Sequence, residues 1–280
     1  MNWSSTVILF IGLIVILVGL VIVFWNMNND IKEITKKCEN IEELIFFAEM
    51  AKMAYFPENP NLINSFAKKN DLIFDSKKDI FTDKNTNTVV LFFKRNNIIY
   101  ISFRGTIVTS LENIEEDIDI YKVPFYGTNV SRGFLKGWSG LRSEVLSRVA
   151  ESNSVVITGH SLGAAISSIA AIDIFETTKI KPICVTFASP RVGDELFVEL
   201  FKKLIGESTR VEGKFDPIPR LPTTYQGFKH IPTMYLISED RCIIGGPPPK
   251  NWVWDIRYHY IDKYIDILKT LNQEEILPLK

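Results

Sequence analysis

The chain has 280 residues, and 46% of them are apolar, which is typical of a globular protein with a sizeable core. Its 32 Lys and Arg residues are balanced by 33 Asp and Glu residues, which gives a formal net charge of −1. This balance argues against a nucleic-acid-binding protein, because no basic excess exists to neutralise a phosphate backbone.

The three cysteines, Cys38, Cys184 and Cys242, lie far apart in the chain and form no C-x-x-C pair. This spacing argues against a disulfide framework and against a zinc site. We therefore expect buried or inert free thiols, a pattern typical of a reducing compartment.

The first predicted element is an apolar segment, Val7–Trp25, which contains no charged side chain. A helix of this length crosses a hydrocarbon core of ~30 Å at about 1.5 Å per residue. A signal peptide would have a basic start and a small-residue cleavage site, and the sequence has neither. Residues 1–25 are therefore predicted to be a retained membrane anchor, with a cleaved signal peptide or a buried core helix as the alternatives.

Three lysines, Lys32, Lys36 and Lys37, follow this segment, and no Lys or Arg precedes it. The positive-inside rule then places the rest of the chain on the cytoplasmic side of the membrane. We expect a single-pass membrane protein in which residues 26–40 are a linker and residues 41–280 form the globular domain.

The globular region alternates helical and strand patterns. Helices are predicted over Asn40–Tyr55, Phe134–Ala150, Leu162–Phe175, Asp194–Leu204 and Ile261–Leu268, and strands over Asp79–Phe81, Val89–Phe93, Ile98–Phe103, Ser154–Thr158, Ile183–Ala188, Thr209–Gly213 and Met234–Ser238. This order predicts an α/β fold with a mostly parallel central sheet covered on both faces.

A G-x-S-x-G pattern at residues 159–163 separates a predicted strand from a predicted helix. The pattern alone is weak evidence, but in this context a tight turn would expose the Ser161 hydroxyl at the carboxyl end of the strand. The backbone N–H of Leu162 would then lie at the helix N-terminus, where it can donate to a developing oxyanion. The alternative is a buried serine in an ordinary strand–turn–helix.

A serine nucleophile needs a histidine base. The sequence has three histidines. We favour His259, which precedes the last predicted helix. We expect His230 to be structural and His160, next to the nucleophile, to be a packing residue.

The base in turn needs a carboxylate that orients it. Asp216 follows a predicted strand and precedes a proline-fixed loop, so it is our first choice. Asp173, on the helix after the turn, and Asp194, a predicted helix cap, are the rivals. The order Ser161, Asp216, His259 is that of the α/β-hydrolases.

From about Ile41 to Leu268 the sequence resembles the class 3, or fungal-type, triacylglycerol lipases, which include diacylglycerol lipase-like catalytic domains. The matching motifs are Ser102–Thr106, Gly133-Phe134, Gly159–Gly163, Thr186–Asp194, Asp216–Pro222 and His259 with Tyr264. The resemblance implies an α/β-hydrolase fold, a triad of Ser161, Asp216 and His259, an oxyanion hole formed by Thr106 and Leu162, and no metal or organic cofactor.

Residues 107–118 form a candidate lid, because Leu111, Ile114 and Ile118 fall on one face of an amphipathic helical pattern. An ordinary surface helix is the alternative. Two positions depart from the family. Ser131 replaces a frequent histidine, and Ile114 replaces the usual lid tryptophan, so lid behaviour and substrate preference are open.

The sequence thus predicts a membrane-anchored serine lipase that hydrolyses carboxylic esters of acylglycerol-type lipids. Its expected partners are a lipid ester substrate and the bilayer around Val7–Trp25, with no nucleic acid and no inferable protein partner. Two alternatives are a carboxylesterase or thioesterase acting on small soluble esters, and a catalytically silent lipid-binding scaffold.

Overall fold

The computed structural model describes residues 36–38, 40–106, 119–206, 208–245 and 253–276. The predicted anchor Val7–Trp25 and the candidate lid at residues 107–118 lie outside these ranges. Among the helices that are described, none is both long and apolar enough to cross a membrane.

The described strands form one large sheet and one hairpin. In chain order they are β1 (Lys36–Lys37), β2 (Ile80–Thr82), β3 (Val89–Arg95), β4 (Ile98–Phe103), β5 (Lys122–Phe125), β6 (Thr128–Ser131), β7 (Ser154–His160), β8 (Ile183–Phe187), β9 (Thr209–Gly213), β10 (Met234–Ser238) and β11 (Arg241–Ile244). The large sheet has the order β1-β11-β10-β9-β8-β7-β4-β3-β2, and β5 pairs with β6. From β4 to β10 all neighbours are parallel, whereas the strands at both edges pair antiparallel, so the predicted parallel sheet is confirmed for its centre.

Helices cover both faces of this sheet. They are α1 (Ile41–Met53), α2 (Pro60–Lys69), α3 (Arg132–Val149), α4 (Leu162–Thr178), α5 (Glu195–Leu204) and α6 (Ile261–Ile276). Strand side chains alternate between the faces: Leu91 and Phe93 pack in the layer of α1, α2 and α6, while Val90 and Phe92 pack in the layer of α3, α4 and α5. Burial on both faces explains why β3, β4 and β8 are mostly apolar, whereas β9 carries the buried charged residues Arg210 and Glu212.

Cys38 and Cys242 form a disulfide, with their Cα atoms 5.5 Å apart and both side chains buried. The expectation of free thiols is therefore wrong for these two residues. The pairing spans 204 residues and depends on β1 lying antiparallel to β11, a contact that no local pattern predicts. Cys184 remains a free buried thiol, and burial raises its pKa to about 12.

Candidate active site

Three segments that leave the central strands meet at one edge of the sheet. The carboxyl ends of parallel strands share an edge, so the residues after β4, β7 and β9 lie near one another. Thr106 follows β4, Ser161 follows β7 and Asp216 follows β9.

Ser161 occupies a strained turn between β7 and α4, with φ 58° and ψ −125°. The turn requires glycine on both sides. A Cβ on Gly159 would lie 2.4 Å from the carbonyl oxygen of Gly163, and a Cβ on Gly163 would lie 2.1 Å from the carbonyl oxygen of Phe103. The backbone holds the turn, because the Ser161 N–H donates to the carbonyl of Phe187 at 3.0 Å. The geometry is that of a strand-to-helix nucleophile elbow.

Ser161, His259 and Asp216 are hydrogen-bonded in series. The Ser161 Oγ lies 2.8 Å from the His259 Nε2, and the His259 Nδ1 lies 3.0 and 3.1 Å from the two carboxylate oxygens of Asp216. All three side chains are almost fully buried. Because a carboxylate only accepts hydrogen bonds, Nδ1 carries the proton and Nε2 presents its lone pair to the serine hydroxyl.

The carboxylate of Asp216 is itself oriented by two donors. The Ile218 N–H donates to Oδ1 at 2.9 Å, and the Tyr264 hydroxyl donates to Oδ2 at 2.6 Å. Burial and the nearby Asp216 charge raise the pKa of Tyr264 well above its usual value, so its hydroxyl keeps the proton it donates. The Tyr264 hydroxyl oxygen also accepts a hydrogen bond from the Gly213 N–H at 2.8 Å, and this bond links α6 to the end of β9. The sequence indicated Tyr264 only as part of a family motif and did not predict that it orients Asp216.

His160, which we expected to be a packing residue, also makes two polar contacts through its ring nitrogens. Its Nε2 lies 2.7 Å from the carbonyl oxygen of His259, and its Nδ1 lies 2.6 Å from the hydroxyl of Tyr55. The rings of His160 and His259 are 4.7 Å apart between centroids. Burial, and then the neighbouring His259, lower the pKa of His160 well below its usual value, so the ring is neutral. No sequence pattern indicated that Tyr55, just after α1, would reach this site.

A pocket of about 170 Å³ opens beside these groups. Its exposed surface is mostly apolar, and it is lined by Lys52, Tyr55, Phe56, Thr106, His160, His259, Tyr260, Ile261 and Asp262. Leu162 is the first residue of α4, so its N–H has no partner within the helix ladder. Of the two predicted oxyanion-hole residues, Thr106 therefore lies in the pocket wall, and Leu162 directly follows Ser161 in the chain.

The rival candidates have other partners. His230 contacts the carbonyl of Pro219 and the carboxylate of Glu212, Asp173 binds Trp138, Arg142 and Tyr126, and Asp194 caps α5 by accepting the Phe197 N–H. None of these groups is recorded in contact with Ser161. Within the described ranges no group of three or more His, Cys, Asp or Glu side chains is arranged to hold a metal ion.

Known proteins share both the sequence motifs and the fold. Residues 100–226 match the family described as lipase (class 3). The secreted mono- and diacylglycerol lipase 1 of Fusarium solani is 28% identical over 165 residues, which cover 55% of this chain and 46% of that protein. A lipase of Rhizomucor miehei is 30% identical over 169 residues, which cover 56% of this chain and 46% of that protein.

The chain therefore matches about half the length of these curated relatives. Among solved structures, lipase II from Rhizopus niveus superposes with a TM-score of 0.69 over 82% of this chain and 97% of that one, at 22% identity, which shows a common fold. The matched region contains the strand before Thr106, the elbow at Ser161 and the loop of Asp216. Residues 100–226 of this chain thus match the class 3 lipase family, and the chain shares its fold with a solved fungal lipase.

Proposed function

We propose that this chain is a serine hydrolase that cleaves carboxylic ester bonds of acylglycerol-type lipids, with Ser161, His259 and Asp216 as its catalytic triad. The observation that carries the proposal is the buried series of hydrogen bonds that joins the three side chains, with 2.8 Å between Ser161 Oγ and His259 Nε2. The lipid class is supported by the relatives, of which one is a mono- and diacylglycerol lipase and the other a lipase.

The proposed reaction has two halves. The Ser161 oxygen bonds to the ester carbonyl carbon as His259 takes the hydroxyl proton, and collapse of the tetrahedral intermediate breaks the bond to the alcohol, which receives that proton. Water then attacks the acyl-enzyme, with His259 taking its proton and returning it to the Ser161 oxygen, and the fatty acid leaves. Asp216 fixes the imidazole tautomer and stabilises the imidazolium.

The negative charge that develops on the carbonyl oxygen needs donors already in place. We assign this role to Thr106 and Leu162. Leu162 supplies a backbone N–H at the N-terminus of the long helix α4, where the helix dipole also favours negative charge. Thr106 can donate through its backbone N–H and its hydroxyl.

The nucleophile is tested by labelling the full chain with a fluorophosphonate probe. Wild type should be labelled and Ser161→Ala should not. Ser167→Ala is the matched control, since Ser167 is a buried serine of the same helix whose hydroxyl bonds a backbone carbonyl. Labelling of Ser161→Ala would contradict the assignment, and an unlabelled wild type would favour the silent scaffold.

The substrate class is tested with a panel of mono-, di- and triacylglycerols, phospholipids and a soluble short-chain ester. The mostly apolar pocket supports a lipid substrate, so hydrolysis should rise sharply once the substrate exceeds its aggregation threshold. Equal rates below and above the threshold would favour a soluble-ester hydrolase.

We also propose that residues 1–25 anchor the chain in a membrane and that the hydrolase domain, residues 41–280, stays close to it. Because β1 and Cys38 belong to the edge of the sheet, only residues 26–35 remain as a spacer. These reach at most ~35 Å at about 3.5 Å per residue. Such a tether raises the effective lipid concentration at the site. Deleting residues 1–26 should spare hydrolysis of a soluble ester and reduce activity on vesicles.

The disulfide supports an orientation opposite to the one that the lysines indicate. Disulfides persist in oxidising compartments, whereas the positive-inside bias depends on only three lysines. We therefore place the hydrolase domain on the oxidising side. In protein alkylated after denaturation, one cysteine, Cys184, should react without reductant and all three should react with it. Three reactive cysteines before reduction would contradict this placement.

A further inference from the structure

We propose that Tyr55 and His160 form a positioning network that holds the catalytic histidine against both the nucleophile and the oxyanion strand. The inference depends on the proposed hydrolase function. It adds two residues that act through His259 and do not themselves react.

The hydrogen-bond partners fix the direction of the network. A backbone carbonyl only accepts, so the 2.7 Å contact between His160 Nε2 and the His259 oxygen requires the proton on Nε2. The His160 Nδ1 then has a lone pair, and the Tyr55 hydroxyl must be the donor in their 2.6 Å contact. A neutral imidazole in one defined tautomer satisfies both bonds.

The network continues to the strand that carries the oxyanion hole. The Tyr55 hydroxyl oxygen packs directly against Gly105, the residue before Thr106. The fit is close, because a Cβ on Gly105 would lie 2.2 Å from the Tyr55 oxygen and 3.1 Å from the Ser161 Cβ. Two hydrogen bonds, from Tyr55 to His160 and from His160 to the His259 carbonyl, therefore link the backbone of His259 to a hydroxyl packed against the residue before Thr106.

His259 needs this second point of attachment because of where it lies. It ends a single-turn 3-10 helix, Ile256–His259, whereas Ser161 is held between a central strand and a long helix. Asp216 holds only the ring of His259 at Nδ1, and His160 holds its backbone. Because His160 precedes Ser161 in the chain, the element that carries the nucleophile also sets the position of the base.

The neutral state of His160 also matters once the reaction begins. When His259 becomes an imidazolium, its ring lies 4.7 Å from His160, with Tyr55 and Tyr264 as the other titratable groups recorded against the His160 ring. A second positive charge at His160 would oppose that state. The Tyr55 hydroxyl occupies the Nδ1 lone pair and so keeps a second proton off the ring.

The first test compares Tyr55→Phe with Tyr100→Phe. Both remove a hydroxyl from a tyrosine of the same core layer, but among the described residues the Tyr100 hydroxyl hydrogen-bonds only Arg95. Tyr55→Phe should lower kcat about 10- to 100-fold with KM for a soluble ester nearly unchanged, because a small displacement of the base is costly. The pH below which the enzyme loses activity should also be higher in Tyr55→Phe than in wild type. Equal kcat and equal pH profiles in both variants would overturn the proposal.

The second test is a double-mutant cycle with His160→Gln, whose amide N–H keeps a donor toward the His259 carbonyl but cannot be protonated. The Tyr55→Phe loss should largely disappear in that background, and additive losses would contradict a connected network. Histidine ¹⁵N shifts of the full chain provide a readout that needs no turnover. They should show His160 protonated at Nε2 only, with an Nδ1 shift that changes in Tyr55→Phe. A chain without hydrolase activity would refute the proposed function, while these shifts would still confirm or overturn the network.

Discussion

Two buried carboxylate–histidine pairs lie at the end of β9, and only one of them reaches a nucleophile. Asp216 binds His259 at 3.0 Å, and Glu212 lies 3.4 Å from His230. Both carboxylates are completely buried. Each pair joins a buried carboxylate to a histidine, so we look for the difference in chemistry in what else surrounds each pair.

The second pair is surrounded by arginines and backbone carbonyls. Glu212 forms ion pairs with Arg210 and Arg220, and the His230 Nε2 faces the carbonyl of Pro219 at 2.5 Å. Burial, followed by the neighbouring arginines, lowers the pKa of His230 well below its usual value. Both of these His230 contacts involve Nε2, whereas the two ring nitrogens of His259 face a carboxylate and a hydroxyl, which is the arrangement that a base needs. The Glu212 cluster instead fixes the loop that carries Asp216.

The largest expected effect separates the two histidines. His259→Ala should lower turnover by about 10⁴-fold, because no other group can accept the Ser161 proton. His230→Ala should leave turnover within a few-fold of wild type and lower the melting temperature. Steady-state kinetics and thermal melts of both variants check this. Loss of turnover in His230→Ala with an unchanged melt would reverse the assignment.

The next effect concerns charge in the Glu212 cluster. Glu212→Gln removes the buried carboxylate that forms ion pairs with Arg210 and Arg220, and breaking a buried pair in this way costs about 3–5 kcal/mol of unfolding free energy. Asp240→Asn is the control, because its partner Arg241 is exposed and the pair is screened by solvent. Urea unfolding should show a large loss for the first variant and none resolvable for the second. Equal stabilities would mean that the cluster does not anchor the loop.

A smaller effect is expected at the hydroxyl behind the triad. Tyr264→Phe removes one of the two hydrogen bonds to the Asp216 Oδ2, which keeps its contact with His259, and leaves the Gly213 N–H without its hydroxyl partner, at a cost of about 1–3 kcal/mol. Turnover should fall as well, because Asp216 loses one of its two orienting donors. Tyr126→Phe, which removes a hydroxyl bonded to Asp173 outside the triad, should retain turnover. Full activity in Tyr264→Phe would show that the Ile218 N–H alone orients the acid.

The fold was predictable from the sequence wherever a strand is buried on both faces. Thr209–Gly213 and Met234–Ser238 have the predicted bounds. The helix Pro60–Lys69 was missed although Asn59 caps it, because only three of its side chains are buried and its apolar signal is short. The hairpin β5–β6 and strands β1 and β11 were missed because their pairing partners are set by tertiary contacts.

In the active site, too, local features were predictable from the sequence, and contacts between distant elements were not. The elbow is local, so the G-x-S-x-G pattern between a predicted strand and a predicted helix indicated Ser161, and chain order with the family motifs indicated Asp216 and His259. The structure brings those three side chains together. The contacts of Tyr55 and Tyr264 cross between distant elements, with Tyr55 lying 105 residues from His160, and no periodic pattern records such a contact.

The smallest effect is a pH dependence of stability that again depends on His230. Burial lowers the folded-state pKa of both His160 and His230, so the folded protein resists protonation that the unfolded chain accepts near pH 6.5. The unfolded state therefore binds more protons as the pH falls below that value, and stability falls with it, by about 1.4 kcal/mol per pH unit for each histidine. His230→Gln removes one of the two contributions, so its stability should fall roughly half as steeply between pH 6 and 5 as that of wild type, measured by urea unfolding. An unchanged slope would show that His230 is protonated within its arginine cluster. The contrast between the two carboxylate–histidine pairs would then need another explanation.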